Sequence, residues 1–229
     1  EFLPISSSGH LIIFPWLVKM ESSMATGLTF TVAVHVGTGF ASVAVMWREW
    51  RRLFVSVFSS DVETRMDARL KLGAVVVGTG LVAIVGLVLE SFIEASLREP
   101  WIVGLALAVG GIVLYLADRI GTTKPREGRS VGVWLAIACT QVGALVPGVS
   151  RSGLAMMVGR SFGLGRAEAT KFSFLLMAPV VVGAAVLRGA HLAASGTSQD
   201  ELGILALGAV VSGLVGFFVA KWLLQHVHK

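Results

Sequence analysis

Pro147-Gly148-Val149-Ser150-Arg151-Ser152-Gly153 closes a run, 131–150, that carries no Asp, Glu, Lys or Arg. At about 1.5 Å of rise per residue, a run of that length matches a hydrocarbon core about 30 Å thick. It does not read as an ordinary span. Pro147 and Gly148 break the helix before a second side is reached, Ser150 is placed to cap a new helix, and Arg151 follows at once. The apolar stretch after it, 154–163, is too short to cross by itself.

Five further uncharged runs, 22–47, 72–89, 101–117, 172–187 and 202–220, surround this one in a chain of 229 residues. Helices are expected at 28–47, 72–89, 101–117, 131–145, 172–187 and 203–223. With 55% hydrophobic and 14% charged residues, the chain excludes a water-soluble globular enzyme, a nucleic-acid-binding domain and a disordered protein. The net charge of +5 belongs to loops at a membrane face, so the partners are membrane lipids and no nucleic acid. The single cysteine, Cys139, lies in an uncharged run and reads as packing.

Loop charges set the topology. Segments 48–71, 118–130, 160–171 and 221–229 carry fifteen Lys and Arg, while 19–21, 90–100 and 188–201 carry three. The positive-inside rule puts the first group in the cytoplasm, with Arg160 and Arg166 facing that surface or lipid phosphates. Because 118–130 and 160–171 then share a side, 131–159 enters and returns as a re-entrant hairpin with 147–153 at its tip.

A second turn of the same kind stands at the start: Pro4-Ile5-Ser6-Ser7-Ser8-Gly9-His10, followed by the short apolar stretch 11–18. Ser6-Ser7-Ser8-Gly9 aligns with Ser150-Arg151-Ser152-Gly153, and Phe30 and Phe174 each lie 21 residues further on. The expected fold is an all-α polytopic membrane protein with an inverted-topology repeat. Repeat 1 covers about 1–117 and repeat 2 about 131–229 of one transmembrane domain, 1–229. Two re-entrant helical hairpins from opposite faces bring their tips together near the midplane. The chain opens at Glu1 without Met, so the arrangement is expected to be truncated there.

The tips carry the chemistry. One offers Glu1, Ser6, Ser7, Ser8 and His10. The other offers Ser150, Arg151, Ser152 and Gly153, with Gln141 about two turns upstream. Ionisable groups inside a membrane are costly and mark function. Arg151 is the one basic residue that this topology places within the bilayer, and its planar fork suits phosphate. Each tip leads into a helix N-terminus, which favours an anion. Together they read as a phosphate pocket with a hydroxyl nucleophile, Ser6 or Ser7, and a base, Glu1 or His10. His35, mid-run, reads more readily as a hydrogen-bonded core histidine than as a pocket residue.

These stretches, with Gly163-Leu164-Gly165-Arg166 and Phe172-Ser173-Phe174-Leu175-Leu176, resemble the signatures of the undecaprenyl-diphosphate phosphatase (bacitracin-resistance) family. The likeness covers essentially the whole chain. It implies a hydrolase of the bacterial cytoplasmic (inner) membrane that converts undecaprenyl diphosphate to undecaprenyl phosphate, the lipid carrier of peptidoglycan synthesis. It also implies a site open to the outer face, helped by Mg²⁺ or Ca²⁺ and by no organic cofactor. Ser7 is then the nucleophile, His10 the motif histidine, Ser150 and Arg151 the phosphate-holding pair, and Glu1 a catalytic glutamate and the candidate metal ligand. Ser8 and Ala155 stand where the family usually has Thr, and His35 where Gln is expected. A final helix of the family is missing after Lys229, which extends the expected truncation to both ends. Two rival readings are an inverted-repeat lipid flippase or transporter, and a catalytically silent relative suggested by Ala155 and by the family's first glutamate, which is expected four residues before Glu1.

Overall fold

A serine side chain caps two of the short helices. In the computed structural model, which describes residues 1–20, 27–120, 130–195 and 198–227, α1 runs Ser7–Leu17 and is capped by Ser6. The chain continues through α2 (Leu28–Ser56), α3 (Val62–Ser96), α4 (Pro100–Ile120) and α5 (Val131–Cys139). A 3₁₀ segment (Thr140–Leu145), α6 (Arg151–Ser161), α7 (Arg166–Ser195) and α8 (Gln199–His226) complete it, and no strand occurs among the described residues.

Five of these helices, α2, α3, α4, α7 and α8, are long and apolar enough to cross a membrane. Their outer faces carry large apolar side chains in the open, such as Phe40, Val88 and Phe218 at 72%, 73% and 67% exposure. In water such a surface would aggregate; in lipid it is the solvated face. The protein is a multi-pass helical membrane protein.

One end of the bundle is ionic. Glu49 on α2 bonds Lys171 on α7 at 3.0 Å, and Lys71 on α3 bonds Asp67 at 2.6 Å and reaches Glu168 on α7 at 3.9 Å. Asp118 at the end of α4 pairs with Arg166 at 2.8 Å and with Arg160 at 3.4 Å. The segments 48–71, 118 and 160–171, grouped by their charge in the sequence, thus lie together. Arg160 differs from expectation: it is 6% exposed, because it donates to the Leu164 carbonyl at 3.0 Å as well as pairing with Asp118. Lys124, Arg126 and Arg129 fall outside the described residues.

Segment 131–161 leaves this end and returns to it. Near its start, Trp134 is 4.6 Å from the Phe172 ring and lies under the Lys71 ammonium. Near its finish is Arg160. The turn between α5 and α6 is held by Gly148, whose φ of +96° favours glycine. A Cβ there would also stand 2.6 Å from the Val103 carbonyl oxygen of α4.

Helices run longer than the uncharged runs, most of all α3, which covers Val62–Ser96 against an expected 72–89. Absence of charge marks the stretch inside hydrocarbon, whereas the helix continues into water once Asp61 accepts from the Thr64 amide at 2.8 Å. The run 131–145 changes after Cys139 into a 3₁₀ segment that tightens toward Pro147. The serine turns end sooner than expected: with Ser6 and Ser150 as caps, Ser7 and Arg151 are already the first residues of α1 and α6.

Candidate active site

The two caps repeat one hydrogen-bond pattern. Ser6 Oγ accepts from the Gly9 amide at 3.4 Å and lies 3.2 Å from Ser8 Oγ. Ser150 Oγ accepts from the Gly153 amide at 3.1 Å and lies 3.1 Å from Ser152 Oγ. Ser6 holds a φ of +60°, uncommon for a residue with a side chain. This cap turns the chain so that Ser7 and the residues before it face each other.

Glu1 is where the two helix starts meet. Its Oε1 is bonded by the Arg151 guanidinium and its Oε2 by the Ser7 hydroxyl. Phe2 fixes it from behind: that ring is 2% exposed and packs edge-on against Phe174 of α7 at 4.9 Å. Ser152 Oγ reaches the Leu3 carbonyl at 3.4 Å, a further tie between the tips. A carboxylate thus sits against the side chains of the first residues of two helices, Ser7 of α1 and Arg151 of α6. A place that suits a carboxylate so well suits a phosphoryl group.

His35 on α2 joins this centre. Its Nε2 lies 3.0 Å from Glu1 Oε2 and 3.3 Å from Ser7 Oγ, while its Nδ1 lies 2.6 Å from the Thr31 carbonyl. The expectation of a histidine kept in the core is therefore corrected: it is hydrogen-bonded, but its second nitrogen faces Glu1 and Ser7. The signal was present as Thr31, His35 and Thr38, spaced i, i+4, i+7 along one face of an otherwise apolar helix.

A cavity of about 260 Å³ opens on the cluster, lined by Glu1, Ile5, Ser7, His10, Leu11, Val34, His35 and Thr38. His10 is an exposed part of this wall, its Nδ1 2.7 Å from the Ser6 carbonyl, and makes no hydrogen bond to Glu1 or Ser7. Ser6, 3% exposed, and Ser8, Ser150 and Ser152 serve the caps and tip contacts described above. Gly153 is buried at the start of α6, where a Cβ would meet Ser150 and Pro4. Gln141 is 1% exposed, and its amide oxygen and nitrogen have no hydrogen-bond partner among the described residues. No hydrogen bond joins it to Glu1, Ser7 or Arg151. Ala155 is fully buried on α6.

Among the described residues Glu1 is the carboxylate of the cluster that would hold a Mg²⁺ or Ca²⁺, and both its oxygens face hydrogen-bond donors, one of them a guanidinium. No group of three His, Cys, Asp or Glu side chains gathers among the described residues. Hard cations ask for about six or more oxygens, and a guanidinium competes for the same carboxylate.

Fold and cluster together define a class: a polytopic helical membrane protein with a serine, a carboxylate and an arginine held between two helix starts. Within that class the chain belongs to the bacitracin resistance protein BacA family, whose sequence model matches residues 1–229. A protein of Desulforudis audaxviator (strain MP104C) named undecaprenyl-diphosphatase is 40% identical over 235 residues, covering 99% of this chain and 85% of that protein. One of the same name from Pelotomaculum thermopropionicum is 40% identical over 230 residues, covering 99% and 83%. Another, from Rubrobacter xylanophilus, is 36% identical over 235 residues, covering 100% and 85%.

Proposed function

We propose that the chain hydrolyses undecaprenyl diphosphate to undecaprenyl phosphate and inorganic phosphate, returning the lipid carrier to peptidoglycan synthesis. The observation that carries this is the Ser7–Glu1–Arg151 chain of contacts across 150 residues of sequence, in a family whose relatives carry that enzyme name.

Ser7 attacks the terminal phosphorus in line. Its hydroxyl already donates to Glu1, so Glu1 is the group that takes the proton. Arg151 has five N–H donors in a planar fork, and its bond to Glu1 leaves others for phosphoryl oxygens. Charge that spreads over those oxygens in the transition state meets this guanidinium and the amides of two helix N-termini. His10, in the cavity wall, faces the departing lipid phosphate. The long apolar tail stays in lipid, beside the exposed apolar faces of the helices.

In membrane terms, 131–161 is a re-entrant hairpin entered from the ionic end, and 1–17 is the returning half of its counterpart from the other side. The matched caps at Ser6 and Ser150 support an inverted repeat of about 1–117 and 131–229. The basic end faces the cytoplasm, and the cavity opens toward the outer face of the inner membrane.

The test is phosphate release from undecaprenyl diphosphate by the purified chain in detergent. Release is expected from the unaltered chain and is expected to fall to background for Ser7→Ala. Arg151→Ala should lower the rate by about 10³-fold, in the range known for arginines that stabilise phosphoryl transfer. Movement of the lipid across liposomes with no phosphate release would replace this reading with the flippase one.

A further inference from the structure

His35 has two nitrogens and both face acceptors. Nδ1 is 2.6 Å from the Thr31 carbonyl and Nε2 is 3.0 Å from Glu1 Oε2. A neutral imidazole has one N–H, so it satisfies only one of these contacts. The second needs one more proton, held on the ring or on Glu1. The His35–Glu1 pair is therefore a store for a proton placed 3.3 Å from Ser7 Oγ. Ser7 contacts both members of the pair, Glu1 through its own hydroxyl proton and His35 across that gap.

We propose that His35 is a catalytic residue that protonates the Ser7 oxygen when the phosphorylated serine is hydrolysed. The inference rests on the reading of Ser7 as nucleophile. In the first half-reaction the Ser7 Oγ–P bond forms, the bond from phosphorus to the bridging oxygen breaks, and the lipid phosphate leaves with that electron pair. The Ser7 proton goes to Glu1 and leaves with the product. In the second half-reaction water attacks the phosphorus and gives its proton to Glu1. The P–Oγ bond breaks, its electron pair stays on Oγ, and Oγ takes the proton from His35 Nε2. Glu1 then passes its proton across the 3.0 Å contact to His35, which restores the starting state. The Thr31 carbonyl holds the ring in place throughout by accepting from Nδ1. Without this acid, an alkoxide must leave phosphorus unaided, which is the slow direction for such a step.

The experiment follows both half-reactions with undecaprenyl diphosphate labelled by ³²P in its terminal phosphate. His35→Leu keeps a side chain of similar size but has no proton to give. It is expected to form labelled, acid-stable phosphoserine at Ser7 in a burst and then to release phosphate about 10²-fold more slowly than the unaltered chain, within the usual range for a lost general acid. His35→Ala is expected to behave likewise and to recover phosphate release when imidazole is added. Turnover by His35→Leu at the unaltered rate, with no phosphoserine, overturns the proposal. So does an equal loss of both half-reactions in both variants with no rescue by imidazole. Failure of the underlying reading looks different: Ser7→Ala would still release phosphate.

Discussion

Ser7 and Ser6 are neighbours with the same side chain, and the fold separates their tasks. Ser6 is turned inward to the Gly9 amide, while Ser7 meets Glu1. Ser6→Gly keeps the positive φ accessible and removes only the cap hydroxyl, at a few tenths of a kcal/mol. It should lower phosphate release far less than Ser7→Ala, measured on the same substrate. Arg151→Ala removes one of the two basic partners of the Glu1 carboxylate, which is 8% exposed, and breaking a buried pair costs about 3–5 kcal/mol. That variant should lose thermal stability as well as rate, and Arg151→Lys should regain stability more than rate because an ammonium lacks the fork. The residues at both tips were legible in the sequence because serine, glycine, proline and arginine are out of place within apolar runs. His35 was less so: a histidine in an apolar helix usually hides its nitrogens, and only the packing of α2 against the first tip shows that one of them does not.

Among the elements, the turn between α5 and α6 bears most on the site, since it aims Arg151 at Glu1. Gly148→Ala forces a Cβ onto a backbone with φ of +96° and against the Val103 carbonyl, an effect of about 1–3 kcal/mol from the backbone alone. A lower melting temperature and a weaker Arg151–Glu1 contact, read as reduced kcat, are the expected result. Helix α2 is seated on α8 by a second close approach. A Cβ at Gly37 would stand 1.9 Å from the Ala209 carbonyl oxygen, and Ser212 Oγ donates to the Val34 carbonyl at 2.8 Å beside it. Small residues let backbones approach this closely in membranes. Gly37→Ala should therefore push α8 away and shift His35, which lies two residues earlier. Its expected signature is instability with a loss of rate, whereas Gly73→Ala, with open space around the Cβ, should show neither. The helix order was legible from the uncharged runs. Their ends were not, because charge marks where hydrocarbon stops and caps such as Asp61 mark where the helix starts.

For the whole molecule, the distribution of nineteen basic residues gave the two ends of the bundle before any contact was known. The ionic cluster of Glu49, Lys71, Asp118, Glu168 and Lys171 brings 48–71, Asp118 and 160–171 together, and the positive-inside rule is the ground for proposing that this end faces the cytoplasm. With Cys139 replaced by Ala, Ser96→Cys should react with an impermeant thiol reagent added to intact cells, and Ser60→Cys only after permeabilisation. Both serines are exposed. The reverse pattern would turn the protein over and put the cavity on the cytoplasmic side. The meeting of the two tips was foreseeable only as a consequence of topology. Its chemistry depends on Glu1 touching Ser7 and Arg151, which no spacing rule supplies.

The central claim is that Ser7 takes the phosphoryl group onto itself before water does. The direct measurement is the stereochemical course at phosphorus, using undecaprenyl diphosphate whose terminal thiophosphate is chirally labelled with oxygen isotopes. Two in-line displacements, one by Ser7 and one by water, each invert the centre, so the released thiophosphate should show net retention. Net inversion would mean a single attack by water and would contradict the account.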